Sequence, residues 1–425
     1  MLNPRIIYTC VLWLLLPYVF FHLLWRGRKQ TEYFQHIPER FGFFSVKSDK
    51  PVIWLHTVSV GETRAAASLI QQLSEAYPNH QILLSHTTPT GRATSTQLYG
   101  DKVMRVYLPY DYPFAVKRFL KHFKPSIGIL LETEIWFNLI QSCKNQHIPL
   151  LLLNARLSEK SARSYSRFPK LIQQGLSQLH SIAAQTDDDA QRLSKLGAEH
   201  ISVMGNLKYD IAVPHAMLGQ GEHLRDLFGK ERKVFLSAST REGEEVLILE
   251  ALSKTRIDNL LTIIVPRHPQ RFDEVAALLT KHNIRFQRRS ENIAIAPDTE
   301  VVLGDSMGEM FAYFAACDLT FIGGSLLPFG GQNLIEACAV GKPVLIGPHT
   351  YNFAQVSQLA IASGAAKLTS DTAALANTLQ YLFAQPDQMQ IMGHAGLAFV
   401  RANQGATGLA LELLNKALSE KLSHG

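Results

Sequence analysis

Short apolar runs of three to eight residues alternate with amphipathic stretches of ten to sixteen along most of this chain, and this restricts its fold more than any other feature. In the first half the runs are Val52–Val58, Gln81–Ser85, Val103–Tyr107, Ile127–Glu132, Pro149–Asn154 and Ser181–Gln185. In the second they are Val234–Ser239, Leu261–Pro266, Val301–Leu303, Leu319–Gly323 and Val344–Gly347. A run such as Ile148-Pro149-Leu150-Leu151-Leu152-Leu153 is apolar on both faces, as a parallel strand sandwiched between helices must be. Stretches with helical character, Arg64–Ala76, Phe114–His122 and Phe272–His282 among them, lie between the runs. Strands and helices in turn predict an α/β chain with doubly wound parallel sheets.

The alternation pauses near Ala212–Gly221 and starts afresh at Val234. A chain of 425 residues suits two domains. The pause therefore reads as a linker between two Rossmann-like halves, 31–211 and 212–425, the second ending in an alanine- and leucine-rich helix near Gly408–Ser419. Ahead of both, Ile6 to Trp25 runs twenty positions without a formal charge, which as a helix spans about 30 Å, one hydrocarbon thickness. This predicts one transmembrane helix, with 1–30 as anchor and basic collar. Arg26-Gly27-Arg28-Lys29 stands where a signal peptide would have its small-residue cleavage site, and it places everything downstream in the cytoplasm. The first fifty residues hold seven Lys/Arg against three Asp/Glu, the remainder 35 against 33. The basic excess thus lies beside the anchor and points to anionic lipid headgroups rather than nucleic acid. Cys10, Cys143, Cys317 and Cys338 are scattered, implying neither a disulfide framework nor zinc.

No Rossmann G-x-G-x-x-G, Walker A or H-E-x-x-H pattern occurs, and the sixteen histidines do not cluster at ligand spacing. Candidate chemistry falls instead at strand ends, where open α/β sheets bind ligands. His56-Thr57-Val58-Ser59-Val60-Gly61-Glu62-Thr63 puts Glu62 in the first turn of a helix. From spacing alone it is either a carboxylate complementing the helix dipole or a general base. Leu131-Glu132-Thr133-Glu134 closes an apolar run with two acids: capping accounts for Glu134, while an idle Glu132 there would be costly to bury. Gly205-Asn206-Leu207-Lys208 brings a lysine just before the linker. In the second half, Arg267-His268, Gly304-Asp305-Ser306-Met307-Gly308-Glu309-Met310, Gly323-Gly324-Ser325 and Gly330-Gly331-Gln332-Asn333-Leu334-Ile335-Glu336 all follow strands. Small residues at successive strand-to-helix turns let backbone N–H groups approach a phosphate, which predicts a nucleotide site in that half. Gly304-Asp305-Ser306 also has the form of a GDS-esterase nucleophile motif, but the D-x-x-H such enzymes need occurs nowhere.

Taken in order behind the apolar segment, HTVSVGE, LLETEIW, NARLS, GNLKYD, PRHPQRF, GDSMGEM, GGSLLPFGGQN and GKPVLIGPHTYNF cover nearly the whole chain. Together they resemble the Kdo transferases of lipopolysaccharide synthesis. The resemblance implies a GT-B fold, two Rossmann-like domains facing a crevice, tethered by a single pass to the inner membrane with both domains cytoplasmic. It implies an inverting transfer of Kdo (a keto-deoxy-octulosonic acid) from CMP-Kdo to a lipid A precursor, with no metal or other cofactor. Matched residue by residue, Glu62 would be the general base, and Glu132 and Lys208 would stabilise the transition state. Arg267, His268, Gly308, Glu309, Met310, Asn333, Leu334, Ile335 and Glu336 would hold CMP. Lys208 or Arg64 would meet the Kdo carboxylate. Gln332, Phe329 and Ala337 depart from residues common in the family and bear on the shape of the donor pocket. Rival readings are a UDP-sugar donor on the same fold and a membrane-tethered sugar-nucleotide-binding scaffold.

Overall fold

A computed structural model describes residues 3–423. The chain divides into two compact units: the first runs to Asp210 and takes up the chain again from Gln404, and the second is Ile211–Asn403. The first holds seven strands, β1 (Val52–His56), β2 (Gln81–His86), β3 (Met104–Tyr107), β4 (Pro125–Leu131), β5 (Leu150–Ala155), β6 (Ser181–Ala184) and β7 (Ile201–Val203), in the order β3-β2-β1-β4-β5-β6-β7. All are parallel. Successive residues of one strand serve opposite layers. Trp54, Leu130 and Leu152 pack into one cluster, while Ile53, Leu55, Ile129, Leu131, Leu151 and Leu153 pack into the other. That is why these strands read as apolar on both faces.

The second unit repeats the plan with β8 (Lys233–Thr240), β9 (Leu260–Pro266), β10 (Phe286–Arg288), β11 (Val301–Leu303), β12 (Leu319–Ile322), β13 (Val344–Ile346) and β14 (Ala366–Leu368). Their order is β10-β11-β9-β8-β12-β13-β14, again all parallel. The sheet reverses direction of growth between β1 and β4 in the first unit and between β8 and β12 in the second. Those switch points are where the ends of neighbouring strands splay apart and leave room for a ligand.

Three expectations change. The stretch 212–221 is not a linker for most of its length, because the helix His215–Phe228 occupies it and buries Leu224 and Phe228. Gly221, which suggested a break, allows a close approach instead: a Cβ there would lie 2.4 Å from that of Ala315. The final helix, Ala406–Ser423, does not close the second unit as the 212–425 boundary had it. Ala406, Ala410, Leu414 and Ala417 lie on one face at helical spacing and bury against Ile127, Ile129 and Leu153 in the first unit's core. Lastly, the apolar N-terminal run is two helices, Pro4–Leu14 and Leu16–Lys29, and not one. Among the described residues no single helix is long and apolar enough to cross a membrane; the pair together meets that length and composition but is bent by 51°. Pro17 explains the break, having no N–H for the carbonyl one turn back and a ring that clashes with it. One side of the first helix docks on the first unit: Tyr8 donates to Asp111 (3.0 Å), Thr9 to Asn138 (3.0 Å), and Tyr112 to the Leu12 carbonyl (2.9 Å). Ile6, Ile7, Val11, Leu14, Phe20, Phe21 and Trp25 remain exposed.

Candidate functional site

Glu62 and Glu132 follow β1 and β4, the two strands at the first unit's switch point. Ser59 caps the short helix Val60–Ala65, its hydroxyl accepting from the Glu62 amide (3.2 Å). The Glu62 carboxylate folds back over the same turn. It accepts from the Val58 amide (2.7 Å) and the Ser59 hydroxyl (2.8 Å), which is a capping box shifted by one residue. The helix-end reading of Glu62 is therefore correct as far as it goes. However, the side chain is only 7% exposed, and burial raises its pKa above the usual carboxylate range. The Val58 and Ser59 hydrogen bonds oppose that shift, and Glu132 adds to it. Each carboxylate oxygen keeps a lone pair for a further donor. Below the turn lie His56, pushed down to about 3 by burial and by His86, and His86 itself, pushed down to about 4 by burial. Both are neutral core histidines. The Thr57 hydroxyl ties His86 (3.0 Å) to Thr63 (3.1 Å) and so fixes the turn from beneath.

Glu132 sits in the left-handed region at φ 60°, a conformation uncommon for a residue with a side chain and met mostly where function or turn geometry demands it. Lys208 Nζ comes within 4.0 Å of its Oε1. The turn that carries Lys208 is set by Asn154, which closes β5 at φ 55° and accepts from the Leu207 amide (3.1 Å). Gln185 donates to the Asn154 carbonyl and accepts from Asn206, both at 3.0 Å. Glu62, Glu132 and Lys208, far apart in sequence, are thus gathered at one edge of one sheet. Sequence reasoning assigned Glu134 to capping. Its carboxyl is instead pushed up to about 7, first by burial and then, against a Trp136 hydrogen bond, by Glu62 and Glu132. The alternation of acids in ETE was the available signal. Arg64 is exposed, and the structure gives it no defined place in this group.

In the second unit the predicted donor residues also converge at one sheet edge. The Arg267 amide donates to the Thr240 carbonyl (3.0 Å), joining the end of β9 to that of β8. Arg271 forms a buried two-pronged pair with Glu245 (2.7 and 3.0 Å), which in turn accepts from Thr240 (2.6 Å). Glu244, fully buried, accepts from the amides of Arg241 (2.9 Å), Gly324 (2.5 Å) and Leu326 (2.9 Å) and so shapes the Gly323-Gly324-Ser325 turn. His268 is held below its usual pKa by burial and by Arg241 and Arg267. Gly308, at φ 84°, turns the chain into the helix Met310–Ala316. The Glu309 carboxylate is engaged with Ser306, Gln220 and Arg289, so the side chain shapes the turn. Asn333 bonds Glu336 (3.1 Å) and the Ile335 amide (3.1 Å). The side chains of Leu334 and Ile335 are in the core, which leaves only their backbones for a ligand. Arg241 was missed: it follows β8 at the switch point, and its guanidinium lies 4.4 Å from the ring centre of Phe329. Phe329, noted for replacing a basic residue, thus carries a cation on its face. The Ser306 hydroxyl is taken up by Glu309 and Tyr313, and among the described residues no hydrogen bond joins it to a histidine, which removes support for the esterase reading.

Among the described residues no three His, Cys, Asp or Glu are grouped to hold a metal ion. The acidic run Asp187-Asp188-Asp189 opens a helix, and Asp189 is committed to Leu157, Thr186 and Arg192.

Comparison with known proteins adds a family. A family model described as 3-deoxy-D-manno-octulosonic-acid transferase (kdotransferase) matches residues 35–211. The 3-deoxy-D-manno-octulosonic acid transferase of Bordetella pertussis is 40% identical, covering 96% of this chain and 98% of that protein. That of Haemophilus influenzae is 36% identical, covering 98% and 100%. A crystal structure of a glycosyltransferase from Rickettsia africae has a TM-score of 0.56 at 15% identity, covering 89% of this chain and 100% of that one; this likeness speaks for the two-Rossmann fold alone.

Proposed function

The chain belongs to the 3-deoxy-D-manno-octulosonic acid (Kdo) transferase family and is a glycosyltransferase, and from that premise we propose that it transfers Kdo from CMP-Kdo to a lipid A precursor, with inversion, in lipopolysaccharide biosynthesis at the inner membrane. The observation that carries the mechanism is Glu62, a buried carboxylate at a switch point whose raised pKa brings it closer to the working pH of a base. Glu62 takes the proton from the acceptor hydroxyl as that oxygen attacks the anomeric carbon. Lys208 offsets the negative charge of the Kdo carboxylate, and Glu132 holds Lys208 in place and favours developing positive charge at the anomeric centre. The departing nucleoside monophosphate is stabilised by Arg267, Arg241 and the backbone N–H groups of the glycine-rich turns, an electrostatic role that needs no divalent ion. Activity that persists in EDTA is the expected result; loss restored only by added metal would remove the metal-free scheme.

The exposed apolar side chains of the bent N-terminal pair support attachment to a bilayer. Arg26, Arg28 and Lys29 lie at its downstream end and favour the anionic cytoplasmic leaflet. The test of the chemistry is Glu62→Gln, assayed by product mass spectrometry with CMP-Kdo and lipid A precursor. Transfer should fall by roughly a hundredfold or more, the scale of a lost general base. Protection against heat by CMP, and not by UDP, should survive. A variant that turns over normally would exclude Glu62 as the base.

A further inference from the structure

The first unit contains a second feature that the transfer chemistry does not use. A cavity of about 690 Å³ is lined by five cations, Arg5, Lys117, Lys121, Lys124 and Lys421, and among the described residues its lining includes no Asp or Glu. These residues come from three places in the sequence. Arg5 begins the first N-terminal helix, Lys117 and Lys121 stand one turn apart on the helix Pro113–Phe123, Lys124 follows it, and Lys421 closes the final helix. Basic residues at the end of one helix complement its dipole and need no ligand. Lys121 and Lys421 stand in the last turns of their own helices and have that explanation singly, but Arg5 stands at the start of its helix, against the dipole, and the convergence of five cations on one cavity favours an anion there. Arg5 donates to Asn138 (3.2 Å) through Nη1 while its Nε is buried without a partner. Lys421 reaches the Ser126 carbonyl (2.9 Å), and its burial lowers its pKa. Lys124 takes a left-handed conformation (φ 43°), where glycine is the common choice at a helix end, so a lysine is kept there against local preference. Half of the remaining lining is amide and hydroxyl, Gln141, Ser142, Asn145 and Gln146, of types able to donate to phosphate oxygens, and the other half is apolar.

This cavity is not the transfer site. It opens beside Pro125, at the start of β4, whereas Glu132 follows the other end of that strand, about 20 Å away at the rise of an extended chain. We infer that the cavity is a binding site for a phosphate-bearing anion, the headgroup of an anionic lipid or a free phosphate. Arg5 makes it continuous with the apolar helix pair, which would set a headgroup phosphate beside side chains suited to acyl chains.

The test compares the full chain with Lys117→Gln/Lys121→Gln and with a control of equal charge loss on the second unit, Lys230→Gln/Lys281→Gln. All four positions are exposed, so the fold is not at stake. One arm measures sedimentation with vesicles of phosphatidylcholine alone or with added phosphatidylglycerol. The other follows thermal unfolding as inorganic phosphate is added. For a lipid headgroup, the lining pair should weaken binding to the anionic vesicles by about fivefold per lysine, well beyond the control, and should also lose phosphate protection. Loss of phosphate protection with vesicle binding equal to the control would keep the site and make free phosphate its ligand. If the lining pair and the control behave alike in both arms, only net charge matters and the inference is overturned. Neither arm contains donor or acceptor, so failure here would leave the transferase reading untouched.

Discussion

Glu134 lies two residues beyond Glu132, and burial, reinforced by Glu62 and Glu132, pushes its carboxyl up to about 7 from an ordinary 4.5. A carboxyl whose folded-state pKa is raised binds its proton more tightly in the folded chain. Its favourable contribution is complete below pH 4.5 and is lost as the pH rises toward 7. Glu134→Gln keeps an acceptor for the Trp136 indole and removes the charge. It should leave the first unit's stability unchanged near pH 4 and raise it by on the order of 1 kcal/mol at pH 8, read as a difference in Tm between the two pH values. An equal effect at both would mean that folding does not raise the pKa of Glu134. At this scale the sequence was informative where a residue had to stand at a strand end, as Glu62, Glu132, Lys208 and Arg267 do. It was silent on partners: nothing in the spacing of Glu309 says that Gln220 and Arg289 occupy its carboxylate, and nothing in Arg241 says that Phe329 lies beneath it.

Each of the eleven apolar runs expected as strands is one. The three strands that escaped, Ile201–Val203, Phe286–Arg288 and Ala366–Leu368, are each three residues long and lie at sheet edges. An edge strand is covered on fewer sides, so its sequence need not be apolar on both faces, and the signal that revealed the inner strands is absent. The N-terminal run failed differently. Its length and apolar character were legible, but a single proline at position 17 divided it. Pro17→Ala should join Pro4–Leu14 to Leu16–Lys29. Spin labels at Asn3 and Arg28, with Cys10 replaced, should then move apart by about 4 Å, the gain from straightening two segments of these lengths. An unchanged distance would show that contacts with Asp111, Asn138 and Tyr112, and not the proline, impose the bend.

For the molecule as a whole, the decisive fact is that the chain returns to its first unit at the end. Asp210 accepts from the amides of Gly405 and Thr407, so the carboxylate at the exit from the first unit caps the helix that re-enters it. Removing 404–425 uncovers the apolar surface that Ala406, Ala410, Leu414 and Ala417 protect, and should lower the first unit's stability by about 3 kcal/mol or more. The second unit should be unaffected, so calorimetry should show one transition lowered and the other in place. Two transitions that fall together would mean the units do not unfold separately. The same return path sets an order of events during biosynthesis. The second unit has every strand and helix it needs once Asn403 has emerged. The first unit, although begun earlier, must wait for the last eighteen-residue helix. At synthesis rates of about 5–20 residues per second that wait is roughly 10–40 s after Asp210 is made. During it, Leu69, Ile70 and Leu73 of the helix Ala67–Ala76 already shield part of that face, but the part beside Ile127, Ile129 and Leu153 stays open, so the nascent unit carries an uncovered apolar patch until its last residues are made.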